Sequence, residues 1–324
     1  MRALSLFSGG LDSMLAAQII RAQGIDVLGI FFKTPFFTPE RAIRSAETLA
    51  LPLKVVDITK EHLKIVRSPK HGYGGNMNPC IDCHALMFRM AGKLMKEERA
   101  DFVISGEVLG QRPMSQNKKA LQIIAMESGL GGLLLRPLSA KRMPITIPEE
   151  KGWVKRELLL DIHGRSRRPQ MELARELNIL DYPSPAGGCL LTEKVFSARL
   201  RDLMEFNPDF ELREIELLKL GRHFRIDEST KIIVGRNQKE NDRIAALTKP
   251  EDMVLIPYSL PGPTVLLMGK KDEKSLHTAL DITATYSNVK PGHEVDIKLV
   301  CSDTIKILRG KAHEKKDFHG LLIT

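Results

Sequence analysis

RALSLFSGGLDSMLAAQII, residues 2–20, is the stretch from which the rest of the chain can be read. Arg2 to Phe7 reads as a short strand and Met14 to Ile20 as a strong helix former, with Ser8-Gly9-Gly10-Leu11-Asp12-Ser13 as the turn between them. A turn at a helix N-terminus aims unpaired backbone N–H groups and the positive end of the helix dipole at one spot, which suits an anion. Gly9 and Gly10 admit positive φ and let a phosphate approach the main chain with no Cβ in the way. Ser8 and Ser13 add hydroxyl donors. The plainer reading is a helix capped by Asp12 or Ser13 after a strand. That reading suffices for a lone Ser-Gly-Gly, but all six positions in this setting are more specific. The Lys-Ser/Thr ending of a Walker loop is missing.

Working outward, Val27 to Phe32 is a continuous apolar run, read as a second buried parallel strand. A helix from about Pro39 to Leu49 leads to a third strand, Leu53 to Ile58, and Glu61 to Val66 continues as helix or turn. Lys70 to Pro79 is loop, a helix follows from about Ile81 to Glu98, and Asp101 to Gly106 is a fourth strand. This alternation predicts an α/β domain with a doubly wound parallel sheet and ligands outside the carboxyl ends of its strands. The loops carrying Ser8, Phe32 and Gly106 share that edge. Lys118 to Glu127 reads as helix, Leu133 to Leu138 as a short strand stopped by proline, and residues 141–181 as helices with basic faces.

Pro183, Pro185, Gly187 and Gly188 break the chain, so the expected division is a catalytic domain over 1–182, a hinge over 183–205 carrying Cys189, and a smaller α+β domain over 206–324. In the last part Lys231–Val234, Met253–Ile256, Thr264–Met268 and Val295–Val300 read as strands.

A chain of 324 residues should hold roughly two domains with a core each. Hydrophobic content of 43% and charged content of 27% are ordinary globular values. No apolar run approaches the roughly 20 residues that cross a bilayer, and no leader precedes the first strand. A soluble, cytoplasmic protein without a membrane partner is expected. The balance of 49 basic to 40 acidic residues gives +9, compatible with a polyanion such as RNA. From Arg136 to Arg175 ten Lys or Arg stand against five Asp or Glu, densest at Arg165, Arg167 and Arg168. These three are the candidate RNA-backbone contacts, with an ordinary solvated helix face as the plain reading.

Four cysteines in a chain this long make no disulfide scaffold. Cys80 and Cys83 lie three residues apart at a helix start, where the dipole favours the Cys80 thiolate, the form that attacks sulfur or binds metal. Cys189 lies in a glycine–proline turn, and Cys301, in an apolar strand, reads as a small core residue. Three readings stay open. Cys80 and Cys189 form a pair that carries and resolves a persulfide; Cys80, Cys83 and Cys189 hold an iron–sulfur cluster with one iron left open; or all three are inert.

Ser8 to Ser13 closely resembles the pyrophosphate (PP) loop of the adenine-nucleotide alpha-hydrolases, which cleave ATP between the α and β phosphates. Taken with Cys80 to Arg89, Ser105-Gly106-Glu107-Val108-Leu109-Gly110-Gln111 followed by Ser115-Gln116, Arg136-Pro137-Leu138 and Cys189, it resembles the catalytic domain of tRNA sulfurtransferases, nearest to the 4-thiouridine synthetase type. The Asn78-Pro79-Cys80 run with Cys83 is also similar to the wobble-position 2-thiouridylases. Residues from about Leu217 to Met268 resemble the small RNA-binding domain of NFACT proteins. On this reading the tRNA-docking THUMP domain and the rhodanese domain of the synthetases are expected to be lacking, which leaves the modified nucleotide and the sulfur donor open.

The resemblance implies a HUP-type (PP-loop ATPase) sheet and an ordered reaction. ATP lies on Ser8, Gly9, Gly10, Asp12 and Ser13, with Phe31, Gly106 and Gln111 as further nucleotide-binding candidates and Asp12 orienting Mg²⁺. A uridine carbonyl oxygen is adenylated, pyrophosphate leaves, and sulfur replaces AMP by way of Cys80, Cys83 and Cys189, either as a persulfide pair or around a [4Fe–4S] cluster. The implied partners are tRNA and a sulfur donor, a persulfide carrier or sulfide, and a homodimer is an admissible assembly. Two rival classes are an RNA-binding or quality-control factor that senses a nucleotide, and an ATP-dependent amidotransferase-like ligase. The first needs no placed cysteines, and the second leaves Cys-x-x-Cys unexplained.

Overall fold

The computed structural model describes residues 1–182, 188–302 and 304–324. The chain divides into two compact units, Met1–Thr192 and Glu193–Thr324. The division falls inside the stretch read as a hinge. Cys189 belongs to the first unit, while Pro183, Pro185 and Gly187 lie outside the described residues.

In the first unit the elements are β1 (Arg2–Leu6), α1 (Leu11–Arg21), β2 (Asp26–Lys33), α2 (Glu40–Thr48), β3 (Leu53–Asp57), α3 (Thr59–Arg67), α4 (Cys80–Glu97), β4 (Phe102–Ser105), α5 (Lys118–Glu127), β5 (Leu134–Leu135), α6 (Ile147–Glu150) and α7 (Arg168–Glu176). The five strands form one parallel sheet in the order β3-β2-β1-β4-β5. Alternation along the strands divides the core in two. Ala3, Phe31 and Ile104 pack with Phe7, Met14 and Leu15 on one face, and Leu4, Ile30 and Val103 pack with Phe88 and Ala91 on the other. Both faces are covered, which is why the strands read as continuous apolar runs. Burying each such Leu, Ile or Phe contributes roughly 1.5–3 kcal/mol.

The chain leaves β1 toward β2 and β3, then returns to place β4 on the other side of β1. The carboxyl ends of β1 and β4 therefore make the switch point where open α/β sheets bind ligands. Both loops that follow these strands, at Ser8 and at Gly106, open there.

Residues 141–181 differ from expectation. Besides α6 and α7 they hold only two three-residue 3₁₀ turns, Ala140–Arg142 and Arg156–Leu158. Pro144, Pro148, Gly152, Gly164 and Pro169 punctuate the stretch too often for long helices.

The second unit comprises α8 (Lys194–Phe206), α9 (Leu212–Leu218), β6 (Arg222–Arg225), β7 (Lys231–Val234), α10 (Gln238–Ala246), β8 (Met253–Pro257), β9 (Val265–Met268), α11 (Glu273–Thr285), β10 (Glu294–Cys301) and β11 (Thr304–Lys311). Its six-stranded antiparallel sheet runs β11-β10-β8-β9-β7-β6 around a core that includes Phe224, Leu255, Ile282 and Ile297. The two strands with no sequence signal, β6 and β11, are the sheet edges. One is Arg-His-Phe-Arg and the other is mostly exposed, so neither needs an apolar run. Cys301 is half-buried at the end of β10, packed against the edge of this core, with Lys271 Nζ 3.4 Å from its sulfur. Among the described residues no helix is long and apolar enough to cross a membrane.

Candidate active site

The loop after β1 is held by its neighbours. Gly9 has φ +72°, and a Cβ there would stand 2.7 Å from the Arg41 carbonyl oxygen and the Ala42 Cα in the first turn of α2. Ser45 Oγ donates to the Gly9 carbonyl at 2.8 Å, pinning the loop to that helix. Gly10 is extended (φ −82°, ψ 158°), so only Gly9 uses the left-handed region. Gly10 is itself the N-cap of α1, with no side-chain cap, so neither Asp12 nor Ser13 plays that part. Among the described residues, the N–H groups of Gly9, Leu11 and Asp12 have no hydrogen-bond partner. These are the donors an anion at a helix start would take. The serine hydroxyls are engaged within the loop: Ser13 Oγ donates to the Gly10 carbonyl at 2.8 Å, and Ser8 Oγ to Ser13 Oγ at 3.4 Å.

Gly106 closes the switch point from the β4 side. A Cβ there would lie 2.5 Å from the Asp12 carbonyl carbon and the Ser13 nitrogen, so only glycine lets the strand end meet α1. Gln111 Nε2 donates to Asp12 Oδ2 at 3.0 Å. Asp12 Oδ1 and Gln111 Oε1 are buried without a donor. Burial raises the Asp12 pKa, against the opposing pull of Gln111, Arg167, Arg112 and Gln170. Two partnerless oxygens beside unpaired N–H groups match a hard cation with a phosphate chain. Phe31, by contrast, is a core side chain in edge contact with Phe37, ring centroids 6.2 Å apart.

The thiols converge at the same sheet edge. Cys83 is half-buried, and desolvation of its thiol pushes the pKa well above the ordinary thiol value, with Cys189, Cys80 and then Asp82 adding to the rise. Cys189, more than a hundred residues downstream in sequence, is thus brought to the Cys-x-x-Cys turn. Its segment is tied down where Leu190 N–H donates to the Phe36 carbonyl at 3.2 Å and Asn76 Nδ2 to the Thr192 carbonyl at 2.7 Å. Asn78 Nδ2 lies 3.1 Å from Cys80 Sγ. His62 Nε2 lies 3.2 Å from Cys83 Sγ, and burial lowers the His62 pKa to about 4, so the ring is neutral. The 70–79 loop is anchored on the far side by His71 N–H to Asp82 Oδ2 at 3.0 Å and His71 Nε2 to Glu127 at 2.9 Å.

One ionic network joins the thiol turn to the loop. On the first turn of α4, His84 Nδ1 is 2.7 Å from Glu107 Oε1, and Arg136 Nε donates to Glu107 Oε2 at 2.7 Å. Glu107 directly follows Gly106, which touches Asp12. Burial would raise the Glu107 pKa, but the charge of Arg136 and the His84 contact outweigh it and hold it at about 2. The sign follows from linkage. A carboxylate depressed from 4.5 to about 2 contributes stability above pH 4.5 that is lost as pH falls toward 2, about 3 kcal/mol at full effect. Glu107→Gln should flatten the stability profile over that window and, by stranding buried Arg136, cost roughly 3–5 kcal/mol at neutral pH. Denaturant titrations from pH 7 to 2 measure both.

Residues 1–144 match the family described as thiamine biosynthesis protein (ThiI), and residues 221–318 match the NFACT protein RNA binding domain. A tRNA-specific 2-thiouridylase MnmA of Karelsulcia muelleri is 30% identical over 130 residues, 36% of this chain and 34% of that protein. A "Probable tRNA sulfurtransferase" of Ureaplasma parvum is 32% identical over 151 residues, 43% of this chain and 37% of that protein. The MnmA of Listeria monocytogenes is 23% identical over 271 residues, 72% of this chain and 68% of that protein. The chain spans about a third of the length of the first two relatives. One family match falls on the parallel-sheet unit and the other on the antiparallel one.

The basic cluster does not act as one patch. Arg165 and Arg168 are exposed, and Arg168 donates to Glu172 one turn on at 2.7 Å. Arg167 is half-buried and close enough to Asp12 and Arg41 to shift both their pKa values. Sequence reading missed Arg41, Arg112, Gln170 and His62 at this edge. None lies in a recognisable motif, and each arrives there by packing.

Proposed function

We propose that the protein is an ATP-dependent tRNA sulfurtransferase. The observation that carries this is the arrival of Cys189 beside Cys80 and Cys83 at the sheet edge that also holds the glycine loop. Asp12, Gly9, Gly10 and the free N–H groups bind the phosphates of ATP with Mg²⁺, which neutralises charge on them. A uridine carbonyl oxygen attacks the α-phosphorus, the bond to the bridging oxygen breaks, and pyrophosphate leaves. A sulfide donor adds to the uridine carbon, and AMP departs with the former carbonyl oxygen. Cys80, Cys83 and Cys189 are the residues that would hold a [4Fe–4S] cluster, which supplies a site for sulfide at its open iron. The donor set suits it: Cys189 and Cys80 raise the cost of ionising Cys83, a cost that a cation would relieve.

Incubating the protein anaerobically with ATP, sulfide and unmodified tRNA, then digesting to nucleosides for mass spectrometry, tests the reading. A thiouridine is expected together with equimolar pyrophosphate; pyrophosphate without any thionucleoside would reject sulfur transfer and favour a ligase. Arg165 and Arg168, together with the antiparallel unit, are proposed to contact the tRNA backbone. Replacing both by Gln should reduce the slope of log affinity against log salt by about 1–2. An unchanged slope returns them to an ordinary solvated face.

A further inference from the structure

Two cations meet one ring in the antiparallel unit. Tyr286, at the C-terminal end of α11, has Arg222 Cζ 5.1 Å and Lys315 Nζ 5.5 Å from its ring centroid. Arg222 opens β6, and Lys315 opens the 3₁₀ turn Lys315–Leu321. Three segments distant in sequence are thus joined at one ring. The joint is fixed from below. Tyr286 packs on the core against Phe224, ring centroids 5.8 Å apart, and the tail is tied to β6 where Ile323 N–H donates to the His223 carbonyl at 2.9 Å.

Stacked cations elsewhere are used differently. At Phe88 and Phe206 a guanidinium lies over the ring and is also paired with a carboxylate, Arg136 with Glu107 and Arg225 with Asp202. Half-buried Arg222 forms no ion pair among the described residues, and a second positive charge is held at the same ring despite the repulsion. The turn also carries exposed Lys316, Glu314 and Asp317, so net charge does not single out this surface. The half-buried ring with its two cations does. An aromatic face beside a guanidinium suits an unstacked base, and the nearby ammonium suits the adjoining phosphate. A duplex hides its base faces, and an acidic peptide has no need of the ring.

Resting on the reading that the antiparallel unit contacts tRNA, we propose that Arg222, Tyr286 and Lys315 form a site for unpaired nucleotides, with a base stacked against Tyr286 and Arg222 and its phosphate on Lys315. Such a site grips a loop or an end of the RNA and leaves paired stems to backbone contacts.

The test is fluorescence-anisotropy titration of the full chain with a short labelled oligoadenylate, an RNA duplex, polyglutamate and tRNA. Tyr286→Leu and Arg222→Gln should each weaken oligoadenylate binding about tenfold. Tyr286→Phe should stay within about twofold of wild type, because the ring and not the hydroxyl is used. Lys315→Gln should reduce the slope of log affinity against log salt by about 0.7. Duplex affinity should change by less than about twofold in Tyr286→Leu. Lys274→Gln, exposed in the first turn of α11 and so at its other end, should match wild type. Thermal melts check folding; if Tyr286→Leu fails to fold, the surface changes at Arg222 and Lys315 carry the test. Wild-type oligoadenylate affinity in the Arg222 and Tyr286 variants, with tRNA still bound, overturns the site and leaves the tRNA reading standing. Equal losses for the duplex or for polyglutamate also overturn it, in favour of a backbone or an acidic-peptide contact. If wild type binds no tRNA, the site and the tRNA reading fall together.

Discussion

Asp12→Ala is expected to lower ATP-dependent pyrophosphate release by at least about 10²-fold, the scale of removing a preorganised charge from a reacting centre. The fold should survive. Asp12 is a buried carboxylate whose pKa is raised by desolvation. A group with a raised acid pKa costs stability above its unfolded value, so at neutral pH its removal leaves the melting midpoint level or raises it. Loss of activity with an unchanged or higher midpoint thus separates chemistry from folding. Asp12→Asn should keep the Gln111 contact and still lose turnover, because an amide does not hold Mg²⁺ as a carboxylate does. Pyrophosphate release at the wild-type rate in both variants would remove the loop from the reaction.

The second large effect concerns sulfur. Cys80→Ser, Cys83→Ser and Cys189→Ser should each reduce thionucleoside formation by more than about 10²-fold while pyrophosphate release continues, because adenylation uses none of them. Anaerobically purified wild type should contain about four irons per chain and absorb as a brown protein, and each variant should lose that iron. A colourless wild type that transfers sulfur from a persulfide donor would reject the cluster and retain the thiols, with Cys83 then dispensable. Wild-type sulfur transfer in all three variants would sink the thiol assignment altogether. The predictions on Asp12 and on the cysteines are independent, since one site acts on phosphorus and the other on carbon.

Much of the first unit is legible residue by residue. Strands buried on both faces announce themselves as apolar runs, and Lys118–Glu127 begins and ends where its pattern does. The edge strand β11 is silent because most of it meets water, and β6 because a four-residue Arg-His-Phe-Arg run carries too little apolar pattern to read. The stretch 141–181 misleads because a basic, proline-broken sequence satisfies helix periodicity without forming long helices. At the site, the glycine loop and the Cys-x-x-Cys turn are local, and local chemistry shows in local sequence. Arg167 was grouped with its neighbours Arg165 and Arg168, yet alternate sides of one turn send them to different surroundings.

Sequence alone determined the strand–loop–helix at residues 2–20, the alternation that builds a parallel sheet, and the residue types at the loop and thiol turn. Tertiary structure decided which of them meet. Cys189 reaches Cys83, Glu107 bridges His84 and Arg136, and Arg112 and Arg167 come to Asp12 only because the strand order reverses beside β1. Periodicity is a property of neighbours along the chain, whereas these contacts join residues tens to a hundred positions apart, and only the packing of the whole unit specifies them.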